Sequence, residues 1–463
     1  MAEAFRTESD SLGELALPVD AYYGIQTLRA MRNFPISGQT LPPAMVRAIA
    51  AIKIAAARAH HQLGDLPEKQ ARAIEDAARE VTLGLLDAHF VVDVYQAGAG
   101  TSFHMNANEV IANRANELLG GKLGDYAHVN PNDHVNMGQS TNDVIPTAMR
   151  LAALMILPAL HEALQSLAAS LETKSAEFAD VIKSGRTHLQ DAVPVTLGQE
   201  FGAYARTIRR ADHRLHQAEE GLLELGIGGS AAGSGLNTRP QYRYQVVEEL
   251  VRLTGLSVRP AEDLFESMQS LGPIGDASAA LRLLALELTR IANDFRLLSS
   301  GPTTGLNELI LPAVQPGSSI MPGKINPSIV EMLNQVCFQV LGHDTTIAYC
   351  VQAGQLELNV MMPVAAHNLL SAITIMTNAI RVFDEKCVQG VEANREVCEA
   401  FAMKSLGLAT ALNPLIGYRQ AADVVKQALR EGRTIPEIVV SRGMMTPDEA
   451  KKAFSPESLT TPG

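Results

Sequence analysis

The stretch Leu281-Arg282-Leu283-Leu284-Ala285-Leu286-Glu287-Leu288-Thr289-Arg290-Ile291-Ala292-Asn293-Asp294-Phe295-Arg296-Leu297-Leu298 repeats large apolar residues at alternating steps of three and four. Leu281, Leu284, Leu288, Ile291, Phe295 and Leu298 fall on one face of a helix, as a seam of the coiled-coil type. Leu157, Leu160, Leu164, Leu167 and Leu171 form a second row, and Leu369, Ile373, Met376, Ile380 and Phe383 a third. Segments 196–225 and 328–349 carry the same period, so five long helices are predicted between residues 140 and 390, crossing at shallow angles. Sustained period-two patterning and strand–helix alternation are lacking, and the fold class is read as mainly α. Ala277, Ala279, Ala280, Leu283, Ala285 and Leu286 flank the quoted seam. A helix apolar on more than one face predicts burial on all sides, and hence packing against further copies of the chain.

A chain of 463 residues exceeds what one core serves. The pattern divides it into a mixed, mostly helical N-terminal domain (1–140), a central five-helix bundle (141–395) and a small helical C-terminal domain (396–463). Further helices are expected at 43–64, 67–88 and 419–430, with Thr446 as an N-cap ahead of Pro447 and a frayed tail from Pro456. The formal charge of -12 argues against nucleic acid or an anionic membrane surface as partner, while a locally positive pocket can still hold a small anion. Cys337, Cys350, Cys387 and Cys398 form no CxxC and no zinc-type pattern, and read as buried, reduced thiols of a cytoplasmic protein. No N-terminal run resembles a signal peptide. The long uncharged run 358–380 is interrupted by Asn359, Pro363, His367, Asn368 and Asn378, too polar for a membrane span.

Polar residues crowd into four segments of this apolar chain: Gly98-Ala99-Gly100-Thr101, Gln139-Ser140-Thr141-Asn142-Asp143, Arg186-Thr187-His188 and Gly317-Ser318-Ser319-Ile320-Met321-Pro322-Gly323-Lys324-Ile325-Asn326-Pro327. In the last, Gly317, Pro322, Gly323 and Pro327 prevent a helix and leave a loop carrying two hydroxyls, an ammonium and a carboxamide. Thr101, Ser140, Thr141, Asn142, Thr187, His188, Ser318, Lys324 and Asn326 are neutral donors plus one cation, a set suited to a substrate with two carboxylates. Each has a plainer reading. Thr101 and Ser140 could cap helices, and a helix N-terminus is itself an anion site. His188 alone reads as a core histidine, Lys324 as a surface charge and Ser318 as a turn residue. The run Gly226–Gly235 lacks a preceding strand and a closing Gly-Lys-Ser/Thr, and reads as a flexible turn. His60-His61 and the pair His213 and His216 read as solvated faces, so neither metal nor cofactor is expected.

The 317–327 loop resembles the signature of the aspartase/fumarase superfamily, and the likeness runs from Asp20-Ala21-Tyr22-Tyr23-Gly24 to Leu406-Gly407-Leu408-Ala409-Thr410. It implies a three-domain fold whose long-helix bundle assembles into a homotetramer, with active sites drawing the four segments from three subunits. Asn130, Thr141, Asn307, Pro260–Leu264 and Gly342–Thr346 look more like the aspartate ammonia-lyases than the class II fumarases. The resemblance thus implies conversion of L-aspartate to fumarate and ammonia, with interconversion of fumarate and L-malate as the alternative. Carried over residue by residue, Ser318 is the general base. Thr101, Ser140 and Thr141 hold the carboxylate that becomes the aci-acid. Thr187, Lys324 and Asn326 hold the other, and Asn142 and His188 contact the leaving amine. One position departs: His104 stands where the family pattern Thr-x-x-Asn-Met-Asn has its first Asn.

Overall fold

The computed structural model of the chain describes residues 4–460. An antiparallel hairpin, β1 (Phe5–Asp10) and β2 (Gly13–Pro18), precedes α1 (Ile25–Asn33), α2 (Pro43–Gln62), α3 (Glu68–Thr82) and α4 (Thr101–Leu118). Then follow α5 (Thr141–Glu177), the hairpin β3 (Ile182–Thr187) and β4 (Gln190–Thr196), α6 (Leu197–Leu222), α7 (Tyr242–Thr254), α8 (Gly272–Leu298), α9 (Ser328–Gln352) and α10 (Met362–Phe383). The C-terminal part holds α11 (Arg395–Lys404), α12 (Tyr418–Glu431), α13 (Ile435–Ser441) and α14 (Pro447–Ala453). The fold is mainly α, and the five long helices are α5, α6, α8, α9 and α10. Every residue of the three apolar rows is buried.

Several local expectations are corrected. α3 stops at Thr82 rather than 88, because Gly84 takes a left-handed φ of 84° and turns the chain. The hairpin β3–β4 was not anticipated, because Gly185 and Pro194 break its alternation. Gly185 lies where the register slips, and a Cβ there would come within 2.4 Å of Val193 O. Pro456–Thr460 form a short helix instead of a frayed end, and positions 461–463 lie outside the described residues. His60 is buried, not solvated: it stacks on Tyr242 at 4.4 Å, with Nε2 2.8 Å from Met137 O. Thr446 caps α14 as expected, in a capping box with Glu449. Among the described residues α5, rather than 358–380, is the helix long and apolar enough for a span, but 78% of its most apolar window is buried within the protein.

The chain forms two compact units, whose boundary falls inside each of the five long helices. The first comprises Met1–Leu160, His213–Leu283 and Phe338–Met376. Its N-terminal core is the alanine- and isoleucine-rich α2, packed against α3 and α7. Small side chains let these helices approach closely, and Arg58 of α2 ties both partners, reaching Glu75 of α3 at 3.0 Å and Glu249 of α7 at 3.2 Å. The second unit comprises His161–Asp212, Leu284–Cys337 and Thr377–Gly463. Phe178, Phe201, Tyr204, Phe295 and Phe383 interlock there in edge-to-face and tilted pairs, with neighbouring ring centroids 5.2–6.1 Å apart. Within it Leu408, Leu412, Val424, Ile438 and Phe454 close a smaller core beneath α12–α14.

Arg58, and then Arg79, hold the Glu75 carboxyl down at about 2. A depressed carboxylate stabilises the fold above its unfolded value of 4.5 and loses that contribution as pH falls toward 2. Glu75→Gln is therefore expected to lower the thermal midpoint at neutral pH. The gap to the unaltered chain should close on acidification, as read by calorimetry across a pH series.

Candidate active site

Thr101 opens α4 after a tight approach, with Ala99 at φ 61° and Gly100 at φ 85°. Ala99 N–H donates to Val360 O at 2.8 Å and fixes the approach. Gly100, not Thr101, holds the N-cap position, so capping does not account for Thr101. Its side chain is exposed, with Oγ1 3.3 Å from Gly98 O.

Ser140 does cap its helix. Its Oγ accepts the Asn142 N–H at 3.2 Å, and its own N–H donates to Asp143 Oδ1 at 2.9 Å. Asp143 is fully buried, and its Oδ2 accepts N–H bonds from Gly228 and Ser230, both at 3.0 Å. Burial pushes this carboxyl up to about 6, against the opposing pull of those three amides and Lys53. The Gly226–Gly235 run is therefore anchored rather than flexible, and Asn142 Nδ2 adds a bond to Ala231 O at 2.8 Å. Ser140, Thr141 and Asn142 are all partly exposed at the start of α5. Hydroxyls joined to free helix N–H groups and a favourable dipole make an anion site.

Thr187 and His188 sit at the exposed tip of β3–β4. His188 (φ 55°) and Leu189 (φ 57°) form a two-residue turn with both residues left-handed, a conformation that normally selects Asn-Gly. Such strain, of order 1–3 kcal/mol per residue, persists only where the surroundings impose it. Below the tip, Glu308 is wholly buried, pairs with Arg186 through two 3.0 Å bonds, and lies 3.2 Å from Lys183. Lys183 also donates to Glu200 at 2.7 Å.

The 317–327 loop is closed by Gly317 N–H to Lys324 O (2.8 Å) and by Asn326 Nδ2 to Gly317 O (2.7 Å). A Cβ on Gly317 would lie 2.4 Å from Lys324 O, so only glycine fits. Ser318 Oγ accepts two backbone N–H bonds, from Ile320 at 3.2 Å and Met321 at 2.9 Å. Beside it opens a cavity of ≈ 450 Å³, lined by Val314, Ser318, Met321 and Lys324 among others. A larger one of ≈ 670 Å³ near Met403, Val440 and Phe454 touches none of the expected site residues.

Thr101, Ser140, Thr141 and Asn142 thus belong to the first unit, and Thr187, His188, Ser318, Lys324 and Asn326 to the second. Sequence reasoning missed the residues beneath them. In the sequence Asp143 reads only as the end of the Gln139–Asp143 segment, and nothing marks Glu308. Lys53 was overlooked although it stands in Ala50-Ala51-Ile52-Lys53-Ile54-Ala55-Ala56, where an isolated charge amid alanines signals a buried cation.

The chain is similar to known proteins over nearly its whole length. A family model described as "Lyase" matches residues 13–342, and one described as "Fumarase C C-terminus" matches 408–461. An aspartate ammonia-lyase of Bacillus subtilis is 46% identical, across 99% of this chain and 97% of its own length. A class II fumarate hydratase of Halobacterium salinarum is 49% identical, across 100% and 98%. The crystal structure of a fumarate lyase:delta crystallin from Brucella melitensis, bound to cobalt, matches with a TM-score of 0.97 at 49% identity, covering 99% of this chain and 100% of that one.

Removing Glu308 leaves Arg186 without its carboxylate partner and Lys183 with Glu200 alone. Glu308→Ala is expected to cost about 3–5 kcal/mol in chemical denaturation. Glu308→Gln, which keeps one acceptor for Arg186, should cost less.

Proposed function

The chain belongs to the aspartase/fumarase superfamily of lyases, and from that premise we propose that it eliminates ammonia from L-aspartate, reversibly, to give fumarate. The observation that carries the reading is the pair of N–H groups aimed at Ser318 Oγ. A serine hydroxyl is far too weak an acid to serve as a base unless its alkoxide is stabilised in place. Two amide dipoles and the Lys324 ammonium on the same short loop are donors of the kind required.

In this mechanism Ser318 Oγ takes a proton from C3 of L-aspartate. The C–H electron pair moves into the neighbouring carboxylate, giving the dianionic aci-acid. Thr101, Ser140 and Thr141 donate to that carboxylate as its charge grows. Thr187, Lys324 and Asn326 hold the other carboxylate. Collapse of the aci-acid forms the C2–C3 double bond and breaks the C2–N bond, with Asn142 and His188 beside the departing amine. Asn142 suits that place, because its Nδ2 is engaged with Ala231 while Oδ1 can accept from an ammonium. Ile320 is 83% exposed on the loop, an apolar side chain available to cover a bound substrate and exclude water.

We further propose that the four segments meet between copies in a homotetramer. α8 leaves Leu283 and Leu286 exposed, and α9 leaves Phe338 and Tyr349 exposed at 58% and 66%, apolar surface of the kind a partner helix covers. A second reading, hydration of fumarate to L-malate, is favoured by the 49% identical fumarate hydratase. Asn130, Thr141 and Asn307 weigh toward ammonia.

Fumarate absorbance should rise with L-aspartate as sole substrate. A rise with L-malate alone selects the second reading. Ser318→Ala should lower kcat by roughly 10²–10⁴-fold while calorimetry still detects fumarate binding, and near-normal turnover would overturn the base assignment. Ser318→Ala and Thr141→Val chains, each impaired alone, should regain activity when unfolded and refolded together. Hybrids that stay as impaired as the parents would count against sites shared between copies.

A further inference from the structure

A lysine and a histidine lie side by side in the interior of the first unit, where neither contributes to a surface. Lys53 of α2 is 0% exposed and His104 of α4 is 1% exposed, and Lys53 Nζ lies 2.8 Å from His104 Nε2. Two basic groups at that distance cannot both carry a full complement of protons, so one must donate and the other accept. The surroundings decide which. Lys53 Nζ also faces Gln139 Oε1 at 2.8 Å and Asn136 Oδ1 at 3.2 Å. Both amides are oriented by their own donor ends: Gln139 Nε2 bonds to Val135 O and Met137 O, and Asn136 Nδ2 to Gln139 O. The lysine is therefore ringed by two fixed oxygen acceptors and one imidazole nitrogen, which matches the three N–H donors of an ammonium. Burial holds the Lys53 ammonium well below its usual range, against the pull of buried Asp143, and burial together with Lys53 holds the His104 imidazole well below its own. The imidazole is therefore neutral, and the two fixed oxygens with the Asp143 charge are what favour a proton-rich Lys53 as the donor.

With Nε2 accepting from Lys53, the neutral imidazole carries its hydrogen on Nδ1. That atom lies 2.9 Å from Thr141 Oγ1. The Thr141 hydroxyl then accepts from the protein, and its own hydrogen has no partner among the described residues. In the opposite tautomer Thr141 would spend that hydrogen on Nδ1 and have none to offer a ligand. We propose that the buried Lys53–His104 pair is a positioning device for Thr141, setting its hydroxyl as an acceptor inward so that it is a donor outward, toward the substrate carboxylate. The proposal rests on the reading of Thr141 as a carboxylate ligand. It also gives His104 a chemical account: an asparagine there could present an oxygen to Lys53 and an NH₂ to Thr141, the same polarity on a shorter side chain.

A double-mutant cycle on kcat/KM tests the coupling. Thr141→Val removes the donor, and a roughly 10- to 100-fold fall is expected with the productive substrate. Lys53→Met should fall comparably, because His104 is then free to turn its hydrogen toward Gln139 or Asn136 and accept from Thr141. In the Thr141→Val background, Lys53→Met should add little. His104→Asn should stay close to the unaltered chain, while His104→Leu should fall with Lys53→Met. Multiplicative effects of Lys53→Met and Thr141→Val, or an asparagine as damaging as leucine, would overturn the coupling while leaving the site reading intact. No effect of Thr141→Val with either L-aspartate or L-malate would overturn the reading of Thr141 and the coupling with it. Where Lys53→Met does not fold, nitrogen-15 spectra of histidine-labelled, unaltered protein decide. A protonated Nδ1 and bare Nε2 at His104 support the device, and the reverse overturns it.

Discussion

The buried carboxylate of Asp143 is the constraint on which the N-terminal half of the candidate site depends. A carboxylate out of water must collect donors or give up its charge. Asp143 collects three backbone N–H groups, one from Ser140 and two from the glycine-rich run. Satisfying it locks the first turn of α5 to that run and sets the directions of Ser140, Thr141 and Asn142. The glycines follow from the close approach. Gly228 has φ 94°, and a Cβ there would fall 2.6 Å from Arg243 Cβ; one on Gly233 would fall 2.8 Å from the Phe265 ring. The arrangement is held against its own preference. With its carboxyl raised to about 6, Asp143 favours the fold in its protonated form, a contribution lost as pH rises through that value. Keeping the charge at neutral pH subtracts from stability, and the return is a fixed set of donors facing outward.

The tip of β3–β4 follows the same logic by other means. Two consecutive left-handed residues without glycine resist their own turn, and the ion cluster of Glu308, Arg186, Lys183 and Glu200 lies directly beneath them. Charges so placed cost desolvation and add little net stability, but their geometry is exacting. Arg186, two residues before His188, is the strand residue that this cluster fixes.

What could be read from the sequence was what periodicity encodes. The rows from Leu157, Leu281 and Leu369 are buried throughout, because a seam repeating every three or four residues can be satisfied only by another helix. The polar segments could be read as well, since uncharged donors rarely cluster in an apolar chain without purpose. The β3–β4 hairpin could not, because its bulge glycine and internal proline erase the alternation that marks a strand. Nor could the supports. Asp143 and Glu308 are one acidic residue among many until their distant partners are known, and those partners lie 85–87 and 122 residues away in the chain. Lys53 was the exception, a cation in an alanine helix whose burial could have been inferred.

The hydroxyls of the site share one arrangement. Ser318 Oγ accepts from Ile320 and Met321, Ser140 Oγ accepts from Asn142, and Thr141 Oγ1 lies against His104 Nδ1. A hydroxyl has one hydrogen and two lone pairs. When the protein supplies donors to the lone pairs, the hydrogen is left to face the solvent side. At Ser140 and Thr141 that makes a donor ready for an anion. In the proposed role of Ser318 as base, the same inward donors stabilise the oxygen once its hydrogen is gone. Thr101, whose hydroxyl lies 3.3 Å from the Gly98 carbonyl oxygen, is the one that must turn to serve. A chain of net charge -12 can therefore present a site for a dianion without a cluster of cations. In the proposed mechanism the attraction comes from preorganised dipoles, whose pull grows as charge develops on the carboxylate, and Lys324 completes it.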